Sequence, residues 1–138
     1  MMTLGLNKAT TVLPVDDAER ARRFYAEELG LPHRRKADDG SEWFGTDDGP
    51  MLQLMPVKDG KHSEHTALTF EVRNIEQIVQ ELETKGVHFQ DYDYDKPDLK
   101  TEHHICTTDS EKCAWFLDSE NNVLCIHETL APEPEYQL

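Results

Sequence analysis

Followed along the chain, the apolar and polar positions show the same strand-then-helix pattern twice. Ala9 to Val15 is short, apolar and β-branched, which predicts a strand. Asp16 then offers a helix N-cap, with Glu19 at the capping-box spacing. Ala18, Ala21, Phe24 and Tyr25 recur at helical steps and form one apolar stripe, predicting a helix over Asp17–Leu29. Gly30 suits the left-handed residue that ends a helix, and Pro32 stops its continuation.

The pattern returns at Ala67. Ala67 to Val72 alternates as a strand, and Asn74 with Gln77 repeats the cap. Ile75, Ile78, Val79 and Leu82 mark one face of a helix over Ile75–Lys85, which Gly86 closes. Val15 matches Val72 at an offset of 57 residues, and Gly30 matches Gly86 at 56. Each half also ends alike. Asp47 to Pro50 is a turn into the apolar run Met51–Met55, and Ser119 to Asn122 is a turn into Val123–His127. Strand-like stretches fill the middles, near Glu42–Gly45, His103–Thr107 and Ala114–Leu117. The reading is an α+β chain of two βαβββ modules, about residues 7–57 and 65–129, joined by a polar linker at 58–64. Residues 90–101 read as a long acidic loop, and residues 130–138 as a loose tail or one packed on a partner.

Composition narrows the class. At 138 residues the chain supports a single domain with a proper core. The net charge is −14, from 28 acids against 14 bases, and no basic patch stands out, so nucleic acid and anionic membrane are poor partners. No apolar run reaches the roughly 20 residues of a membrane span, and the opening residues do not read as a signal peptide. Three cysteines, Cys106, Cys113 and Cys125, without Cys-x-x-Cys spacing suit free thiols in a reducing compartment, so the expected location is cytoplasmic.

Three stretches carry a family resemblance. The run LPVDDAERARRFYAEELGL at residues 13–31 resembles the opening strand and helix of the vicinal oxygen chelate superfamily, which includes the glyoxalases, bleomycin-resistance proteins and extradiol dioxygenases. ALTFEVRNIEQIVQELETKGV at 67–87 is similar to the opening of that family's second module. AWFLDSENNVLCIHE at 114–128 resembles its closing hairpin. The resemblance implies two βαβββ modules whose sheets curve round a shared ligand cleft, and commonly a homodimer. In metal-dependent members four strand residues, two per module, hold a divalent ion.

Carried over position by position, those four places hold Thr10, Gln53, Ala67 and Cys125. Alanine has no donor atom, and a neutral hydroxyl and a neutral amide are weak ligands where a divalent ion wants carboxylate or imidazole. The expectation is no metal and no cofactor. A shifted cluster of His65, His127 and Cys125 is an alternative, set against the plainer reading of two rim histidines. His103 and His104 beside Cys106 suggest a Cys–His nucleophile, but no orienting third residue is evident.

Strand alternation then names a ligand-facing set: Thr10, Val12, Met51, Gln53, Met55, Ala67, Thr69, Trp115, Cys125 and His127. Pro14 and Glu71 share those faces, while Thr11, Leu13, Val15, Leu52, Leu54 and Leu68 belong under the helices. Of the aromatic pairs Trp43-Phe44 and Trp115-Phe116, one member each is assigned to the core. A methionine-rich, mostly apolar lining suits a binding pocket for a small amphipathic or aromatic molecule. Two other readings stay open: a metal-dependent lyase, isomerase or dioxygenase of the same superfamily, and a dimeric interaction module with a vestigial cleft.

Overall fold

The computed structural model describes residues 9–58, 62–95 and 99–130; all but Leu130 of the tail expected at 130–138, and the middle of the linker, lie outside them. The chain divides into two compact units. The first takes the residues up to Leu68 together with Leu117–Val123, and the second takes Thr69–Phe116 and the residues from Leu124 on.

In the first unit β1 (Thr10–Val15) leads into α1 (Ala18–Arg23). The strands β2 (His33–Lys36), β3 (Glu42–Gly45) and β4 (Met51–Pro56) follow. The sheet order is β1-β4-β3-β2, with β1 parallel to β4 and the other pairs antiparallel. This is the predicted βαβββ module. The missing strand was β2, whose sequence HRRK is charged and exposed throughout, as befits a sheet edge that must not recruit another strand.

The first helix differs in two details from its sequence pattern. Its N-cap is Asp17, whose carboxylate accepts from the Arg20 amide, and not Asp16; Glu19 pairs instead with Arg22. Beyond Arg23 the chain widens into a π-turn over Phe24–Glu28, closed by the Leu29 amide on the Phe24 carbonyl at 3.0 Å. The wider turn lets the consecutive rings of Phe24 and Tyr25 both enter the core, edge to face at 5.4 Å. Gly30 ends this segment at φ +71°.

Packing in this unit follows the predicted alternation. Leu13, Val15, Phe44, Leu52 and Leu54 are buried with Ala21 and Tyr25, while Met51, Gln53 and Met55 are half-exposed. Thr11 is only half-buried. The turn 118–122 belongs here and not with the second half: its Glu120, Asp118 and Asn122 grip the start of α1, Tyr25 and the Pro14 carbonyl.

The second unit begins within β5 (Thr66–Glu71), at Thr69, and α2 (Ile75–Thr84) follows. The main sheet runs β5-β11-β10-β6, with β6 at Phe89–Gln90, β10 at Glu111–Leu117 and β11 at Val123–Thr129. A short β9 (Cys106–Thr107) also pairs with β10. The middle strand of the module is thus split between β6 and β9. The chain between them holds a ribbon of β7 (Asp93–Tyr94) and β8 (Leu99–Lys100), where an acidic loop was expected. The predicted strand His103–Thr107 is cut short because His103 and His104, at φ +52° and +72°, make a tight turn.

Asn74 does not cap α2 as predicted. It sits in the left-handed region at φ +56° with no side-chain cap bond, and the Glu128 carboxylate takes the Ile75 amide instead, at 2.8 Å. Gln77 bonds Glu81. Ile75, Val79 and Leu82 are buried, as are Ala114, Phe116, Leu124 and Ile126. Leu68 is only half-buried, so the packing expected of it is incomplete.

Candidate functional site

On the first sheet, strand register sets a row across β1, β4 and β3: Val12 lies beside Gln53, and Gln53 beside Trp43. Arg35 stands opposite Trp43, with its guanidinium carbon 5.1 Å from the ring centroid. Thr10 pairs with Met51 and Pro14 with Met55, so those residues share this face, the one turned away from the buried leucines. Val12 is 52% exposed, a large apolar group left open on the sheet.

Ser41, wholly buried, is the polar hub of this face. Its hydroxyl donates to Asp39 Oδ1 at 2.6 Å and accepts from Trp43 Nε1 and Gln53 Nε2, each at 3.1 Å. The Ser41 hydroxyl and amide hold the Asp39 carboxyl below its ordinary value. Neither Asp39 nor Ser41 was singled out in the sequence. A Ser two residues before a strand Trp and two after an Asp is too common a pattern to read.

On the second sheet, Cys125 is buried, Trp115 and His127 are half-buried, Ala67 is half-buried and Thr69 is exposed. Trp115 packs edge-on against Tyr92 at 5.4 Å. Burial raises the Cys125 thiol, although Cys113, the Ala114 amide and Thr69 nearby act in the other direction. Cys113 is pushed up to about 12, first by burial and then by Cys125 and Glu111. Both thiols therefore stay protonated at neutral pH. His127 Nδ1 is buried without a hydrogen bond, its closest acid being Glu111 Oε2 at 3.5 Å.

These residues do not fit the divalent ion that metal-dependent relatives hold. Ala67 offers nothing, Gln53 offers only a neutral amide oxygen, and burial keeps Cys125 a neutral thiol. His65 is exposed and precedes β5. Among the described residues no three His, Cys, Asp or Glu side chains converge as a metal site requires. Near Cys106, which is buried, His104 turns its ring nitrogens to Asp91 at 2.9 Å and Glu83 at 3.4 Å. The same turn, with α2, borders a groove of about 520 Å³ reaching Glu76, Gln80 and Glu83, which no motif announced.

Comparison with known proteins agrees with this architecture. Residues 8–126 match the Glyoxalase/Bleomycin resistance protein/Dioxygenase superfamily, and the chain belongs to that superfamily. Among solved structures, TnmS3, an antibiotic binding protein from Streptomyces sp. CB03234, is similar at 17% identity and a TM-score of 0.68, covering 94% of this chain and 99% of its own. A glyoxalase/bleomycin resistance protein/dioxygenase from Alicyclobacillus acidocaldarius gives 17% and 0.66, with 94% and 96% covered. The fosfomycin resistance protein FosX from Listeria monocytogenes gives 13% and 0.67, with 91% of each chain covered. At such identities the likeness is one of fold. No curated protein matches. Among the described residues no helix is long and apolar enough to cross a membrane.

Proposed function

We propose that this chain is a glyoxalase/bleomycin resistance-like binding protein that works without the family metal centre and holds a small amphipathic or aromatic molecule. The observation that carries the reading is the donor set. Of Thr10, Gln53, Ala67 and Cys125 only the last can become an anion, and burial opposes that. On the first sheet the proposed contacts are Thr10, Val12, Met51, Gln53 and Met55, an apolar and deformable surface with a few polar groups. On the second they are Ala67, Thr69, Trp115, Cys125 and His127. The antibiotic-binding TnmS3 shows that this fold serves such a role elsewhere. The proposed setting is the cytoplasm, where the three thiols stay reduced, and the proposed assembly is a homodimer.

Elemental analysis of the dialysed protein tests the metal half. Sub-stoichiometric nickel, zinc, manganese and iron are expected. A stoichiometric metal, lost on mutating any of the four residues, supports instead the lyase, isomerase or dioxygenase reading. Thermal shifts across a panel of small aromatic molecules test the ligand half, since a ligand that binds the folded state raises the melting temperature. A flat response favours an interaction module. Light scattering at 15.9 kDa at micromolar concentration overturns the dimer.

A further inference from the structure

The Ser41 hub fixes which end of the Gln53 amide faces outward. A serine hydroxyl has one proton, and here it goes to Asp39 Oδ1 at 2.6 Å. Asp39 is a carboxylate held ionised by the Ser41 hydroxyl and amide, so it accepts and never donates at neutral pH. The indole nitrogen of Trp43 is a donor only and takes one Ser41 lone pair. What remains on the Ser41 oxygen is a second lone pair, so whatever Gln53 turns toward it must donate. The amide nitrogen therefore points inward, at 3.1 Å, and the flip of the Gln53 side chain is dictated by proton counting. Turned the other way, the carbonyl oxygen accepts from no donor among the described residues, and Gln53 stands beside Val12 and Trp43 in one row of the sheet, on its half-exposed face.

We propose that Asp39 and Ser41 are positioning residues that present Gln53 Oε1 as a fixed hydrogen-bond acceptor. The first sheet thereby selects ligands with a hydroxyl or N–H donor on an apolar or aromatic body and rejects matched ligands that only accept. This rests on the ligand-binding reading above and gives it a substrate class. The discrimination arises because a donor finds a preset partner, whereas an acceptor in the same place leaves two lone-pair groups facing each other without a proton. A free glutamine would turn over and serve both.

The test has two arms. In the first, the Gln53 side-chain amide is observed by NMR in the ligand-free protein, assigned by its loss in Gln53→Met. Slow hydrogen exchange and a shift away from free glutamine are expected, both reverting in Ser41→Ala. An amide that exchanges and resonates like free glutamine overturns the proposal without touching the ligand-binding reading. In the second arm, 2-naphthol (a donor) and 2-methoxynaphthalene (an acceptor only) are compared by equilibrium dialysis. The native protein is expected to prefer 2-naphthol by about tenfold, one hydrogen bond's worth. Ser41→Ala and Gln53→Met are each expected to bring the two probes close to equal affinity. Equal binding by the native protein overturns the selectivity. Binding of neither probe overturns the site itself, whatever the amide shows.

Discussion

Replacing Glu120 by glutamine keeps the shape of the side chain and removes its charge. The wild-type carboxylate has no solvent exposure. Oε1 accepts from the Asp16 and Asp17 amides at 3.1 and 2.8 Å and from Arg20 Nη2 at 3.0 Å; Oε2 accepts from Arg20 Nε at 2.8 Å and Ser119 Oγ at 2.7 Å. A glutamine preserves one acceptor oxygen. Its NH₂ group then faces Arg20 Nε, which can only donate, while the Ser119 hydroxyl can turn to accept from it. Breaking a buried pair costs about 3–5 kcal/mol. Arg20 is 49% exposed, which screens its share, so about 2–3 kcal/mol is expected for Glu120→Gln. For a chain of this length that lowers the melting temperature by about 8–12 °C. The loss has a pH signature. Burial by itself raises the Glu120 carboxyl, but Arg20, the Asp17 amide and Ser119 outweigh it, and the net direction is below the ordinary value. A group depressed in the folded state stabilises above its unfolded value, about 4.3, and that contribution fades as pH falls through the folded one. Urea titrations of both proteins at pH 7 and at pH 3 should therefore show a gap that narrows in acid. A gap under about 0.5 kcal/mol at pH 7, or one unchanged at pH 3, refutes the reasoning.

Tyr25→Phe removes the 2.5 Å bond to Asp118 in a pair that is buried on both sides, and a loss of about 1.5–3 kcal/mol in urea denaturation is expected. Cys113, pushed up to about 12, should alkylate with iodoacetamide far more slowly at pH 8 than free cysteine, with a rate still climbing between pH 9 and 11; a plateau below pH 10 contradicts this. His103→Gly relieves a side chain at φ +52° in a tight turn and should raise stability by about 1 kcal/mol; a fall shows that the ring makes contacts worth more than the strain.

What could be read in advance was what depends on local chemistry. The apolar stripes of Ala21 and Tyr25, and of Ile75, Val79 and Leu82, are buried as the periodicity demanded. Gly30 and Gly86 adopt the left-handed conformation their positions implied. The alternation of Met51, Leu52, Gln53, Leu54 and Met55 gave both faces of β4. Caps were the first thing to fail: α1 is capped one residue later, by Asp17, with Glu120 taking the Asp16 and Asp17 amides, and α2 takes its acceptor from Glu128. No local pattern signals a carboxylate arriving from a distant turn. The strand β2 was missed because it is charged throughout, and period-two reading needs an apolar face. The polar hub of the candidate site was invisible for a similar reason: Ser41 matters through Trp43 and Gln53, one close in sequence and one across the sheet.

The grip of the 118–122 turn on the start of α1 bears on how the chain assembles. The contacts from Asp16, Asp17 and Arg20 to Glu120 span 104, 103 and 100 residues. A nascent chain has made β1, α1 and most of the second half before that carboxylate leaves the ribosome. Until then the helix start has only Asp17 as its cap, and the buried Tyr25 hydroxyl has no Asp118 to donate to. The internal repeat is therefore not a pair of separable parts. Cutting between the halves leaves the first without its clasp, and closing a loop of such length is slow. The first copy of the repeated pattern is finished only when the turn from the second is made.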